Sequence, residues 1–191
     1  MKIIAEKIAG EMFRIKKEQV LIAVDGRCGS GKSTLAEKLS AELSAPVIHM
    51  DDFYLPKEER TPEIMEKCGG NIDGERLRRE VLSPLQNGEG CVYRPYDCST
   101  GDFADAVTLP ESRVYIVEGT YSVMYCPGSD IKVFLTVTPE EQLRRLAIRE
   151  GADKLEMFRT RWIPMEERYF EIFGIMDRCD FVFDTSEKER I

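Results

Sequence analysis

The stretch Val20-Leu-Ile-Ala-Val-Asp-Gly26-Arg-Cys-Gly-Ser-Gly-Lys32-Ser33-Thr34 decides how this chain is read. Val20 to Val24 is a short apolar, β-branched run of the kind that forms a buried strand. It breaks into a glycine-rich turn that fits G-x-x-x-x-G-K-[ST] from Gly26 to Ser33. The residues that follow place Leu35, Leu39 and Leu43 at helical spacing. Strand, loop and helix in that order are the context in which this motif holds phosphates. Gly26, Gly29 and Gly31 let the backbone wrap closely around a phosphate chain, with N–H groups turned inward along Cys28, Ser30 and Thr34. The helix N-terminus adds a favourable dipole. Lys32 is placed to neutralise β- and γ-phosphates, and Ser33 offers a hydroxyl to Mg²⁺. The stretch implies that the chain binds a nucleoside triphosphate, with ATP as the expected nucleotide and GTP left open.

Composition sets the outer limits. The chain has 191 residues, 42% hydrophobic and 32% charged, which suits one globular domain with a sizeable core. A formal net charge of −8 argues against a nucleic-acid-binding surface, which needs a basic face. No stretch is long and apolar enough to span a membrane. The N-terminal segment, interrupted by Glu6, Lys7 and Glu11, does not read as a signal peptide. Cys28, Cys68, Cys91, Cys98, Cys126 and Cys179 lie scattered without a C-x-x-C pair, as expected of free thiols in a reducing cytoplasm. Homo-oligomerisation is left open.

Around the loop, strands alternate with helices, which indicates a parallel sheet covered on both faces. Residues 2–18 carry Ile4, Ile8, Met12 and Ile15 on one face and predict an amphipathic helix packed on the domain. Pro46 to Met50 predicts a second strand, which delivers Asp51-Asp52-Phe53-Tyr54 to its carboxyl end, where open α/β sheets bind ligands. Residues 55–73 look loop-like, and 75–86 helical. Residues 91–109 predict a hairpin turning near Thr100-Gly101. Arg113 to Gly119 and Ile131 to Val137 are further buried strands. Thr138-Pro139 opens an arginine-rich helix ending at Glu150, and Gly151 breaks the pattern within a short lid at about 149–155. A long helix over 155–175 follows, with a kink or restart expected at Pro164. Asp180 to Asp184 closes the sheet.

A bound triphosphate serves a switch, a motor or a kinase. No N-K-x-D motif is present to read guanine, and the chain is short for a motor. A small kinase remains, and Asp51 at a strand end supplies what it needs: a carboxylate to accept the acceptor's hydroxyl proton and help position Mg²⁺. Cap or turn duty for Asp51 and Asp52 is the plainer alternative. Arg94 and Arg161 are candidates to bind an anionic or carbonyl-rich acceptor by forked hydrogen bonds. Arg144, Arg145 and Arg149 are either lid groups or a solvated face paired with Glu140 and Glu141; beside flexible Gly151, Arg149 is the candidate for the nucleotide side. Cys28 sits at a helix N-terminus, which can acidify a thiol, although a small loop-filling residue is the plainer reading. Phe158, Trp162, Phe170 and Phe173 read as core.

The pairing of Ala23-Val-Asp-Gly-Arg-Cys-Gly-Ser-Gly-Lys-Ser-Thr34 with His49-Met-Asp-Asp-Phe-Tyr54 and Val117-Glu-Gly119 resembles the uridine kinase and phosphoribulokinase group of P-loop small-molecule kinases. The resemblance covers almost the whole chain. It implies a three-layer P-loop NTPase fold. Its sheet of five parallel strands would run in the order second strand, 114–118, loop strand, 131–137, 181–183. A substrate-side hairpin and a short lid would frame the acceptor. By the same resemblance Asp51 is the catalytic carboxylate, Tyr54 lies beside the acceptor, and Glu118 assists Mg²⁺ together with Ser33. Asp73 matches the residue that holds the nucleoside sugar, and Tyr96 an aromatic of the hairpin. The function so implied is ATP- and Mg²⁺-dependent phosphorylation of a small hydroxyl-bearing metabolite, foremost a nucleoside. The histidine with which uridine-cytidine kinases read the pyrimidine is missing, since the chain's single histidine, His49, lies inside the second strand and reads as structural. Nicotinamide riboside and pantothenate kinases share a similar aspartate–aromatic stretch. They remain alternatives, as does a non-catalytic ATP-binding regulator.

Overall fold

In the computed structural model, which describes residues 1–187, the run 20–24 becomes the middle strand of a five-stranded parallel sheet. Helix α1 (Lys2–Met12) buries Ala5, Ile8 and Met12. It stops short of the expected residue 18 because the backbone beyond is claimed elsewhere: Arg113 donates to the carbonyls of Ile15 (2.6 Å) and Lys17 (3.2 Å). Strand β1 (Val20–Gly26) runs through the glycine loop into α2 (Lys32–Leu43), and β2 (Val47–His49) follows. A 3₁₀ turn at Met50–Phe53 and another at Lys57–Glu59 lead to the short helix α3 (Pro62–Met65).

Helices α4 (Gly74–Leu77) and α5 (Ser83–Asn87) form one rod joined by a wide π-type turn, Arg78–Leu82. Strands β3 (Val92–Tyr93), β4 (Tyr96–Asp97), β5 (Asp102–Phe103) and β6 (Val107–Thr108) build the hairpin, β3 pairing with β6 and β4 with β5. Its tip turns at Gly101, whose φ of +77° suits a residue without a side chain. Then come β7 (Val114–Glu118), α6 (Ser122–Tyr125), β8 (Ile131–Thr136) and α7 (Pro139–Glu150). After Gly151 the chain re-enters a helix at once. α8 (Ala152–Met157), a second wide turn (Phe158–Trp162) and α9 (Ile163–Phe173) follow one another without interruption, before β9 (Phe181–Asp184).

The expected lid segment, 149–155, is a one-glycine break between α7 and α8. At Pro164, where a kink or restart was expected, a wide turn gives way to α9, which carries the proline in its first turn, and Pro84 follows the first wide turn in the same way. A proline removes a donor and crowds the carbonyl four residues back, and a widened turn relieves that crowding.

The strand order is β2-β7-β1-β8-β9, the order that the resemblance implied. Apolar residues on the two faces of the sheet are buried separately. One cluster joins Ala5, Ile8, Leu35 and Leu39 to Ile22 and Val24. The other joins Phe53, Leu77, Val81, Tyr93 and Tyr169 to Ala23 and Val117. The result is the three-layer α/β fold of P-loop NTPases. Of the aromatics read as core near the chain's end, only Phe170 is buried; Phe158, Trp162 and Phe173 are half-exposed. Phe158 and Trp162 open and close the wide turn after α8, where Arg149 and Arg161 cover their rings.

Candidate functional site

The site is built on a row of residues at the carboxyl ends of three adjacent strands. Val24 of β1 pairs with Glu118 of β7, and Glu118 pairs with His49 of β2. The glycine loop leaves its strand two residues beyond Val24, and Asp51 stands two residues beyond His49. Loop and carboxylate are thus two strand spacings apart, about 10 Å, with Glu118 between them.

The loop is shaped as a cradle. Gly26 lies at φ +135°, where a Cβ would collide with the Leu135 carbonyl, so β1 and β8 approach as only glycine allows. Lys32 Nζ donates to the carbonyls of Gly26 (2.8 Å) and Arg27 (3.0 Å), curling the loop around the ammonium. Among the described residues, the N–H groups of Gly29, Gly31, Lys32 and Ser33 take no backbone acceptor, and Gly31 caps the start of α2. Converging free donors at a helix N-terminus form an anion site. Beside them lies a cleft of about 700 Å³ whose walls include Gly29, Lys32, Thr34, Arg145, Arg149 and Thr185. Arg149 therefore stands where the sequence placed it, although its guanidinium pairs with Glu150 (2.7 Å). Arg145, left undecided in the sequence, grips the loop itself, donating to the Gly29 carbonyl (3.1 Å) and to Thr185. Arg144 pairs with Glu141 on the exposed face of α7.

Across the row, Ser33 Oγ donates to Glu118 Oε1 at 3.1 Å, and His49 Nδ1 lies 2.6 Å from the same oxygen. His49 is thus not a core residue. Its side chain is 47% exposed and faces the site, because alternation along β2 buries Ile48 and turns its neighbours outward. The Glu118 hydrogen bond raises the His49 pKa against the effect of burial. Burial works against ionising Glu118, but His49, Lys32 and Ser33 outweigh it and hold the carboxyl below its ordinary range.

Asp51 is open to solvent at its tip yet enclosed by protein on most sides. Burial raises its carboxyl pKa, and Glu118 adds to the rise. The Tyr54 hydroxyl, which hydrogen-bonds it, and the charges of Lys32 and His49 act in the opposite sense. Glu118, Ser33 and Asp51 together offer hard oxygen donors beside the cradle, the set that suits Mg²⁺.

The other candidates are distributed less simply. Asp73 caps α4, accepting from Arg76 N–H at 2.9 Å, and lies next to the Tyr54–Ile72 bridge. Tyr96 is buried edge-on against Phe103, and its hydroxyl has no partner. Arg94 does not point to an acceptor: two of its nitrogens donate to the carbonyls of Ala104 and Phe103, both at 2.8 Å. Arg161 is exposed and stacks on Trp162 (4.9 Å). The structure does not bring Arg94 and Arg161 together.

Several buried polar residues went unread in the sequence. Asp25, fully buried, accepts from Gly26 N–H (2.7 Å), Tyr121 N–H (3.3 Å), Val123 N–H (3.1 Å) and the Tyr169 hydroxyl (2.7 Å). Burial pushes its pKa up, while the Tyr169 hydroxyl, the backbone donors and Lys32 act in the opposite sense and favour the ionised form. Arg76 is buried over the Phe53 ring (4.6 Å) and ties the Asp52 carbonyl (2.5 Å) to the Arg94 carbonyl (2.6 Å), fixing the hairpin against the Asp51 turn. Tyr93 adds a hydroxyl bond to Asp52 (3.0 Å).

Glu166, 3% exposed on α9, accepts from Cys28 N–H (2.9 Å) and from Gln142 Nε2 (2.8 Å), while Gln142 also holds the Cys28 carbonyl (3.0 Å). Burial, reinforced by Glu166, pushes the Cys28 thiol up to about 12, the opposite of what its helix-terminal position suggests. Glu166→Gln would set an amide donor against these donors. We expect it to raise the KM for ATP roughly tenfold. Steady-state kinetics of the variant checks this; an unchanged KM removes Glu166 from the support of the loop.

No model of a known protein family matches the chain. It is 27% identical over 175 residues to a cytidylate kinase of Pyrobaculum arsenaticum, covering 87% of this chain and 84% of that one. It is 25% identical over 175 residues to a uridine kinase of Ureaplasma parvum, covering 81% and 84%. Its fold superposes on the structure described as a possible uridine kinase from Bacillus stearothermophilus with a TM-score of 0.72 at 24% identity, over 94% of this chain and 97% of that one. In sequence and in fold, the chain is similar to the uridine kinase-like group of P-loop kinases.

Proposed function

We propose that this protein transfers the γ-phosphoryl group of ATP to a hydroxyl of a small metabolite, with a nucleoside as the foremost acceptor class. The observation that carries the reading is the row itself. Ser33 and Glu118 meet at 3.1 Å beside the phosphate cradle, and Asp51 follows the next strand, where the charges of Glu118 and Lys32 reach it. The kinase relatives, one acting on uridine and others on cytidylate by name, support a nucleoside or nucleotide acceptor.

The roles follow from the geometry. The free N–H groups of the loop and Lys32 hold the phosphates, with Lys32 exchanging its carbonyl partners for phosphate oxygens. Ser33, Glu118 and Asp51 are the residues that would hold Mg²⁺, which when bound neutralises charge on the phosphate oxygens. Asp51 takes the acceptor's hydroxyl proton as the new O–P bond forms and the bond to the β-phosphate oxygen breaks, releasing ADP. Tyr54 orients Asp51 by hydrogen bonding. Arg145 and Arg149 line the nucleotide cleft. Asp73, Tyr96 and Arg161 are retained as candidate acceptor contacts; Arg94 is not, since its donors are already engaged.

A panel of nucleosides and hydroxyl-bearing vitamins tests the reading by ADP release in the presence of Mg²⁺ and ATP. We expect at least one acceptor to stimulate release well above the acceptor-free rate. Tight ATP binding with no stimulation by any acceptor would leave a nucleotide-binding protein without kinase activity.

A further inference from the structure

The hairpin side of the acceptor space carries positive charge that nothing in the fold consumes. Arg60 lies with its guanidinium between two rings, 5.4 Å from the centre of Tyr54 and 5.5 Å from that of Tyr96. Its Nε donates to the Leu55 carbonyl at 2.7 Å, and one terminal nitrogen lies 3.9 Å from the Cys98 sulfur. A guanidinium has five N–H donors, so three are unspent. Lys57 reaches the same recess. A Cβ on Gly101, at the hairpin tip, would lie 3.6 Å from Lys57 Nζ and 3.9 Å from the Tyr96 hydroxyl. That hydroxyl belongs to a side chain only 5% exposed and has no hydrogen-bond partner. Among the described residues, no carboxylate pairs with Arg60 or Lys57.

Two unpaired cations and an orphaned buried hydroxyl therefore share one recess, and Tyr54 connects it to Asp51. The same tyrosine that hydrogen-bonds Asp51 presents its ring to Arg60. The acceptor space is bipolar: carboxylates at the end where a hydroxyl would be deprotonated, cations about one tyrosine side chain away. A merely structural staple between the 55–60 segment and the hairpin would need one donor of Arg60. It would need neither Lys57 nor an unsatisfied Tyr96. Stacking between two rings also restrains the guanidinium before any ligand arrives, which lowers the ordering cost of a forked contact.

We propose that Arg60, Lys57 and the Tyr96 hydroxyl form an anion subsite, so that the acceptor carries a carboxylate or phosphate group as well as the hydroxyl that Asp51 addresses. The assignment rests on the kinase reading for the role of Asp51, but not for the subsite itself. It moves anion recognition from Arg94 and Arg161, where the sequence suggested it, to a pair of residues whose donors are free.

Binding and turnover together test it. With the phosphate loop saturated by ADP and Mg²⁺, calorimetry compares pantothenate with panthenol, and ribose 5-phosphate with ribose. The first pair probes a carboxylate, the second a phosphate. In at least one pair the anionic member should bind about tenfold or more tighter than its neutral counterpart, and Arg60→Met and Lys57→Met should each collapse that ratio at least about fivefold. Lys57 is exposed, so its variant separates lost recognition from lost folding, and a melting temperature is recorded for both. If the anionic preference is present and depends on these residues while no acceptor releases ADP, the subsite stands and the kinase reading falls. If a neutral acceptor is turned over and no anionic preference appears, the kinase reading stands and the subsite falls. No binding by either anionic probe, or a preference that survives both substitutions, also overturns the subsite.

Discussion

Replacing Asp51 with asparagine should lower turnover roughly a hundred- to ten-thousand-fold, the range of a positioned general base, while ATP binding changes little. The expectation follows from placement. On the proposed reading Asp51 stands at the acceptor's end of the reaction, one strand removed from Glu118 and two from the loop. Its partner Tyr54 survives the substitution, since an asparagine oxygen still accepts the hydroxyl. What is lost is the ability to take a proton. Steady-state rates with a responsive acceptor, alongside ATP binding by calorimetry, separate the two effects. Near-normal turnover in the variant would remove Asp51 from the chemistry.

The largest effect on stability should come from Asp25→Asn. The carboxylate gathers donors from the loop, from the β7–α6 connection and from α9, all inside the sheet's shadow. An amide turns an N–H₂ group toward two of these donors and leaves them unsatisfied in a dry site. A buried charged acceptor so removed costs about 3 kcal/mol or more, a large share of a domain's total. Urea unfolding should show the loss as a lower midpoint with an unchanged slope. Glu6→Gln, which breaks an exposed pair with Lys2, should leave the midpoint where it is. Equal midpoints for the Asp25 variant and the parent would mean that the four contacts are not a stabilising hub.

The two sets of residues differ in how they could be read from the chain. The loop and the Asp51 turn are local patterns, a motif of eight residues and an acid at a strand's end, whereas the strand order came from the family resemblance. The first two were legible because their physics is written in neighbours. Glu166 and Asp25 belong to pairings between residues far apart in sequence, Cys28 with Glu166 and Asp25 with Tyr169, and nothing near Glu166 marks it as buried. Arg76 was hidden by its type, since an arginine in a helix is ordinarily solvated, and it is two rings, two carbonyls and the carboxylates of Asp73 and Glu80 that make its burial tolerable. His49 was misjudged for a subtler reason. Strand periodicity told which residues alternate, but not that at the last residue of a short strand the outward side faces the ligand space.

The same distinction explains the ends of the long helices. Residues 2–18 were amphipathic enough to be read as a helix, and 155–175 as one with a kink or restart at Pro164. The first was cut short by a distant arginine taking its carbonyls, and the second begins earlier, at Ala152, directly after Gly151.

The wide turns ahead of Pro84 and Pro164 carry a consequence for insertions and deletions. Each stores one residue more than a regular α-turn, so the helix before it and the helix after it keep a common rotational phase. Deleting one residue from 158–162, with Pro164 replaced by alanine so that the slack is no longer demanded, would leave Glu166 still aimed at the phosphate loop and Tyr169 at Asp25. Removing one from 167–168 would swing Tyr169 by about 100° around the rod, away from Asp25, while Glu166 stayed in place. The chain's tolerance to a length change is therefore concentrated in two short reservoirs, and outside them the helices behave as gears with no play.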